Sequence, residues 1–326
     1  MEFDLPEKNN LAARERPVEV VVSLISLASS SGVAETRGDR RKRPIATTYR
    51  DTPPVARKID EVRYTDAQLQ ERSTTVANGL NALHNSVQHL KDLATGMDPE
   101  YYTSSAYPSE WTIADTFSHL GSGAVIGKQG FENSITGRAP DPSFNTSVWD
   151  EWNAKNPADQ VTDSLASDAA FLAVLEEATE DERGRFSMSL GPFAFAFAGL
   201  IGLRLGEHVL HTWDVEVPFN PDATLSSEAA DAILNNLQFV AARAAKPHGV
   251  VRDVAIRTSD PVRTFTLVLS GDAAELREAP LNGAVDLEIP AEAFVRLVYG
   301  RLDPGHTPAS VQGDAVELLR SVYPGL

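Results

Sequence analysis

Apolar residues recur at three- and four-residue intervals through TDAQLQERSTTVANGLNALHNSVQHLKDLA (65–94), where Leu69, Val76, Leu80, Leu83, Val87 and Leu90 fall on one stripe. That period predicts an amphipathic helix, and Gly96 and Pro99 supply its stop. His84 and His89 lie on or near its polar side and are expected to face water. A second helix is predicted from Thr112, with Asp115 as its capping-box partner and Ile113, Phe117, Leu120 and Ala124 as its core stripe. His119 falls off that stripe, on a shoulder with Asp115 and Ser122. TGRAPDPS (136–143) closes the segment. A third helix is expected over 162–182, capped by Thr162 or Asp163. A fourth is expected over 192–214, opening at Pro192 and stopping before Pro218. Its FAFAFA start alternates and would read as a strand alone, but the apolar run continues, and its length favours a buried helix.

The pattern changes after Pro221. A helix over 226–245 with a serine cap is predicted, ended by Pro247 and Gly249. Short β-rich runs follow at 251–258, 263–271 and 283–290. A helix at 290–302, a strand at 309–314 and a final helix, AVELLRSVY, complete the chain. The fold class expected is therefore α followed by α+β: a helical bundle at 61–220 and a smaller α+β domain at 221–326, with the boundary near 218–225. Residues 1–60 show no period and are expected to be a disordered tail with a short apolar segment at 18–28. Its RRKR run (40–43) reads either as a nucleic-acid or nuclear-localisation patch or as a solvated basic run.

Composition narrows the function. The chain has 326 residues, 42% hydrophobic and 23% charged, which is ordinary for a globular protein. Its net charge is −17, and because residues 1–60 are slightly basic, the excess acid falls on the remainder. Such a surface repels nucleic acid and anionic membranes, so neither is expected as a partner. No apolar run reaches the length of a membrane span. The run 18–31 follows acidic residues (Glu2, Asp4, Glu7, Glu15), unlike a signal peptide, so a cytoplasmic protein is expected. There is no cysteine. Disulfides, thiolate metal sites and a cysteine nucleophile are excluded, and any thiol chemistry must use a thiol from another molecule.

The candidate chemistry lies in LRLGEHVLHTWDV (203–215), which follows an almost wholly apolar run. On a helix Glu207 and His211 are one turn apart and can converge on one cation. The spacing alone is weak evidence. A polar stripe emerging into water, with an Arg204–Glu207 ion pair, fits the same residues. A third ligand would come from another helix, and His119 is the best candidate.

Two segments together carry a family resemblance. PSEWTIADTFSHL (108–120) resembles the Pro-Gly-Trp-Thr-x-x-(Asp)-x-x-x-His-Leu segment of the mycothiol-dependent maleylpyruvate isomerase family, within the DinB-like group. RLGEHVLHTWDV (204–215) is similar to that family's Glu-x-x-x-His-x-Trp-Asp segment. EAFVRLVYGRL and VQGDAVELLRSVYPG resemble the end of its sterol-carrier-like C-terminal domain. The turn before Trp111 is one residue longer than the family's. The resemblance implies a four-helix bundle holding a divalent metal, expected to be zinc, on His119, Glu207 and His211. Three protein ligands leave an open position, as in catalytic sites. It also implies mycothiol or another low-molecular-weight thiol as cosubstrate. The expected function is an isomerase or S-transferase acting on a small electrophilic substrate. The alternative is a non-enzymatic small-molecule or lipid binder with a structural or vestigial metal. Arg138, Arg204 and Arg301 are candidate clamps for a substrate carboxylate, or else surface ion-pair residues. Asp214 and His208 are candidates to orient a ligand imidazole. Trp111 and Trp213 are expected to be core aromatics.

Overall fold

The computed structural model describes residues 66–325 except 108, 109, 191, 192 and 282, with side chains from 74 onward. The tail at 1–60, its RRKR run and apolar segment, and Pro192 lie outside the described residues.

Helix α1 spans Asp66–Gly96, and its predicted stripe is buried at Leu80, Leu83 and Leu90. Helix α2, Ile113–Thr136, opens with the predicted Thr112–Asp115 capping box. It buries Ile113, Phe117, Leu120 and Ala124 completely. It ends at Gly137, whose φ of 67° is a conformation that glycine adopts without penalty. A short helix absent from the sequence reading follows: α3, Phe144–Ala154, anchored by Val148 and Trp152. Two buried anchors one turn apart are too brief a period to distinguish from a loop. Helix α4 spans Pro157–Glu177 and starts earlier than expected, because Asn156 rather than Thr162 or Asp163 accepts from the Asp159 N–H and Pro157 takes the first turn. A one-turn-and-a-half helix, α5, covers Glu180–Arg185.

The FAFAFA segment corrects the expectation. Phe193–Phe195 forms strand β2, antiparallel to β1 at Met188–Leu190. Helix α6 then runs Phe197–Glu216. The alternation reports a strand over its first three residues only, and Phe197 and Ala198 already belong to the helix. Helices α1, α2, α4 and α6 pack as a four-helix bundle. Close approach is part of it. A Cβ at Gly121 of α2 would stand 2.2 Å from the Trp152 ring and 2.8 Å from the Ser164 Cα.

The second half is α+β as expected. The predicted 226–245 helix is broken into α7 (Ser227–Leu234), capped by Ser226, and α8 (Leu237–Ala244). Strands β3 (Val250–Ser259), β4 (Thr264–Gly271), β5 (Ala274–Glu278) and β6 (Leu287–Pro290) form one sheet in the order β5-β4-β3-β6. β3 pairs antiparallel with β4 and parallel with β6. Val254, Ile256, Phe265, Leu267 and Leu269 are buried on one face beneath helices, while Val251 is 79% exposed on the other. Helix α9 (Ala291–Val298) follows β6, and α10 (Asp314–Val322) closes the chain. Residues 309–314 do not form the strand expected: 309 and 310 are a turn, and Gly313 at φ 104° leads into α10.

Helix α7 packs against α1 and α6, so a single hydrophobic core runs from the bundle into the second half. Gly202 and Gly206, one turn apart on α6, admit this contact. A Cβ there would fall 1.9 Å from the Asn236 side chain and 2.4 Å from the Tyr299 hydroxyl. Among the described residues no helix is long and apolar enough to cross a membrane.

Replacing Gly121 with alanine gains helix propensity of about 1 kcal/mol, but drives a methyl into a ring and a neighbouring backbone. Overpacking of that kind costs about 1–3 kcal/mol. A net loss of stability is expected in urea unfolding; an unchanged or higher midpoint would show that α2 and α4 are not in this contact.

Candidate metal centre

The EHVLH stretch lies in the middle of α6, with Glu207 and His211 on its flank toward α2. His119, on α2, faces them. Its Nε2 stands 3.4 Å from Glu207 Oε2, and His211 Nε2 stands 3.8 Å from the same oxygen. One donor atom of each residue lies within 4.8 Å of the others, and the two imidazole rings are 4.7 Å apart edge to face. Ligands bound at about 2.0–2.1 Å in a tetrahedron are separated by roughly 3.3 Å, so this trio is spaced to share one ion. Two imidazoles and one carboxylate suit zinc.

The supporting contacts prepare the trio for that task. His211 Nδ1 donates to Asp214 Oδ2 at 2.8 Å, which turns the Nε2 lone pair toward Glu207 and His119. Asp214, fully buried, is held in turn by Arg301, whose Nε and Nη2 reach Oδ1 and Oδ2 at 2.8 and 2.7 Å. Arg301 arrives from the second half because Gly300, at φ 71°, reverses the chain after α9. Burial would raise the Glu207 pKa, but the neighbouring imidazoles of His119 and His211 and the charge of Arg301 outweigh it and hold the carboxyl below its ordinary range. Glu207 is therefore ionised, as a metal ligand must be. Burial, together with the Glu207 charge, pushes the Tyr299 phenol well above its ordinary value, so Tyr299 stays a hydrogen-bond donor beside the trio.

Trp111 belongs to this site. It stacks on His211 with ring centroids 5.7 Å apart and lies 5.2 Å from His119. The segment 104–113 folds back on itself, with Ala106 N–H to the Trp111 carbonyl and Ile113 N–H to that of Ser104. Tyr107 N–H fixes the segment to the Asp214 carbonyl. Trp213, by contrast, is a core residue as expected, its Nε1 donating to the Ala223 carbonyl.

The three sequence-selected arginines separate. Arg301 reaches the site, but through Asp214. Arg204 is buried and turned toward α4, where it pairs with Asp168 and donates to the Leu120 carbonyl at 3.3 Å; it makes neither the ion pair with Glu207 nor a surface contact. Arg138 lies beyond the end of α2, nineteen residues from His119, at roughly 25 Å along the helix. Neither position suits a clamp beside the trio. His208 is also turned away from it. Its Nδ1 meets Ser86 Oγ at 2.8 Å and its Nε2 lies 3.4 Å from Asp168 Oδ2. Ser86 and Asp168 had no sequence signal beyond being polar on helix faces that proved to be internal. His84 and His89 are exposed as expected, beside Glu176 and Glu216.

Two family descriptions match the chain: the mycothiol maleylpyruvate isomerase N-terminal domain over residues 83–216 and that family's C-terminal domain over 227–320. The chain belongs to the mycothiol maleylpyruvate isomerase family. Among solved structures it is similar to the crystal structure of the mycothiol-dependent maleylpyruvate isomerase, with a TM-score of 0.52 and 14% identity over 73% of this chain and 95% of that one. A histidine-to-alanine mutant of that enzyme aligns equally well. At this identity the likeness speaks for the fold. No curated protein matches the chain.

Two outcomes follow from the geometry. Asp214→Asn should weaken zinc binding by about 10–100-fold in a chelator competition titration, since it disturbs the tautomer and aim of His211; unchanged affinity would show that His211 is not a ligand. Arg204→Met strands the buried Asp168 carboxylate and should cost about 3–5 kcal/mol at neutral pH. Although burial raises the Asp168 pKa, the charge of Arg204 brings it below its ordinary value in the folded protein. Its contribution is thus present above the unfolded pKa and lost as pH falls through the lower folded one. The gap between wild type and Arg204→Met should accordingly narrow in acid, measured by urea unfolding across pH 3–7.

Proposed function

We propose that this chain is a divalent-metal enzyme, with zinc the ion best suited to the donor set, that uses mycothiol or a similar small thiol to isomerise a small electrophile or to form a thioether with it. The observation that carries this reading is the convergence of His119, Glu207 and His211 with the aim of His211 set by Asp214. A metal bound there supplies a lowered pKa for an incoming thiol.

The chain's own residues do the rest. With no cysteine in the sequence, the nucleophile comes with the cosubstrate. Trp111 covers one side of the imidazoles and limits water at the ligand face. The Tyr299 phenol can donate a hydrogen bond to an oxygen that gains charge as a thiolate adds to a conjugated double bond. In an isomerisation the thiolate adds, the former double bond rotates as a single bond, and the same thiolate leaves, with no net change in atoms or electrons. In a transfer the adduct is protonated and released. Arg301, engaged with Asp214, acts as a positioning residue that neutralises the buried carboxylate.

Purified wild type is expected to hold about one zinc per chain by elemental analysis, with metal as the occupant of a three-ligand site. Glu207→Gln should lose that zinc while keeping its far-ultraviolet circular dichroism. Thiol-dependent cis–trans isomerisation of maleylpyruvate or a related unsaturated acid should vanish with it. A metal-free wild type after growth in zinc, co-purifying with lipid, would favour a non-enzymatic binder; turnover that needs no thiol would point to hydrolysis instead.

A further inference from the structure

The far end of the bundle contains a cavity of about 430 Å³ between the C-terminal half of α2, the start of α3 and strand β1. Its apolar walls come from Ile126, Phe131, Phe144, Phe186 and Leu200, with polar side chains between them. Its volume is within the usual range for small-molecule pockets, about 300–1,000 Å³. Ile126 stands seven residues beyond His119 on α2, about 10 Å along the axis, and the cavity extends away from there. It is therefore separate from the metal centre.

Two further features bear on what it holds. Gly130 lines the cavity at its open side, where a Cβ built on it would meet no atom within 4 Å. Arg138 stands at the mouth, placed by the left-handed turn at Gly137, and its guanidinium has no ion-pair or hydrogen-bond partner among the described residues. The neighbouring polar groups are already engaged. Gln129 donates to Asn133, Ser134 Oγ to the Ser187 carbonyl, and Asp141 accepts from the Ser143 N–H and hydroxyl. An apolar body with a single uncommitted cation at the entrance matches an apolar monocarboxylate, whose head a guanidinium can grip through two parallel hydrogen bonds.

We propose that this cavity is a second ligand site, which binds an unbranched or aryl carboxylic acid with its apolar part beside Gly130 and its carboxylate at Arg138. The site is independent of the metal, so its fate does not depend on the reading of the trio.

Isothermal titration with decanoate, below its micellar concentration, tests it. One saturable site is expected on wild type. Arg138→Gln, a change at an exposed side chain, should weaken binding by about tenfold or more, the loss of one charge-assisted contact. Decan-1-ol should bind wild type weaker by a similar factor. Gly130→Leu should fill the space and remove binding. Glu207→Gln, without its metal, should bind decanoate as wild type does. The proposal is overturned if decanoate does not saturate, if Arg138→Gln or decan-1-ol matches wild type with decanoate, or if Glu207→Gln abolishes binding, which would place the acid at the metal centre. Should Gly130→Leu fail to fold, the Arg138 and alcohol arms still decide.

Discussion

A buried carboxylate cannot stand alone, and Asp214 has no exposure to water at all. Its charge is matched by the guanidinium of Arg301, 87 residues later in the chain, through two hydrogen bonds below 3 Å. The same carboxylate accepts from His211, so one pair of oxygens both neutralises an arginine and fixes the imidazole of the candidate site. The candidate metal centre is built on the bundle but completed by the second half. Gly202 and Gly206 let the two halves approach, and the turn at Gly300 brings the arginine back toward α6. A defect in how the halves meet would therefore be felt first at His211.

The bundle interior has two polar layers one helical turn apart, and they differ in kind. In one, Asp168 meets Arg204 and His208, with Ser86 behind His208, and every side chain is buried. Burial lowers the His208 pKa below its ordinary value, despite Asp168, so that imidazole is neutral and the layer carries one matched ion pair. In the other, His119, Glu207 and His211 turn their donor atoms toward one another with the support of Asp214 behind. The first layer is closed upon itself and is structural. The second has lone pairs gathered at one point, which is the arrangement a cation needs.

Much of the site was legible in the residues. Glu207 and His211 share a face by helical period alone, and His119 stood out because it left the core stripe of its own helix. The arginines were not legible. Three candidates of one chemical type went to three destinations: Arg301 to Asp214, Arg204 to Asp168, and Arg138 to the mouth of a separate cavity. Period tells which side of a helix a residue occupies but not which helix lies opposite. Trp111 reads as a core aromatic in the sequence for the same reason, since its stacking on His211 depends on how the 104–113 segment folds back.

By itself, the sequence determined the quantities that are local: the helical stripes of α1 and α2, the Thr112 cap, the β-rich pattern after residue 250, the absence of any thiol, and the placing of Glu207 and His211 one turn apart. Each depends on side chains within a few positions of one another, where helix and strand periods act directly. Tertiary structure decided everything that needs distant residues to meet. It made the first half of FAFAFA a strand by pairing Phe193–Phe195 with Met188–Leu190, joined His119 to α6, brought Arg301 to Asp214, and left a cleft open beside Gly130. The reason is that burial and charge neutralisation are properties of the packed space between elements, and a one-dimensional pattern contains only one side of each contact.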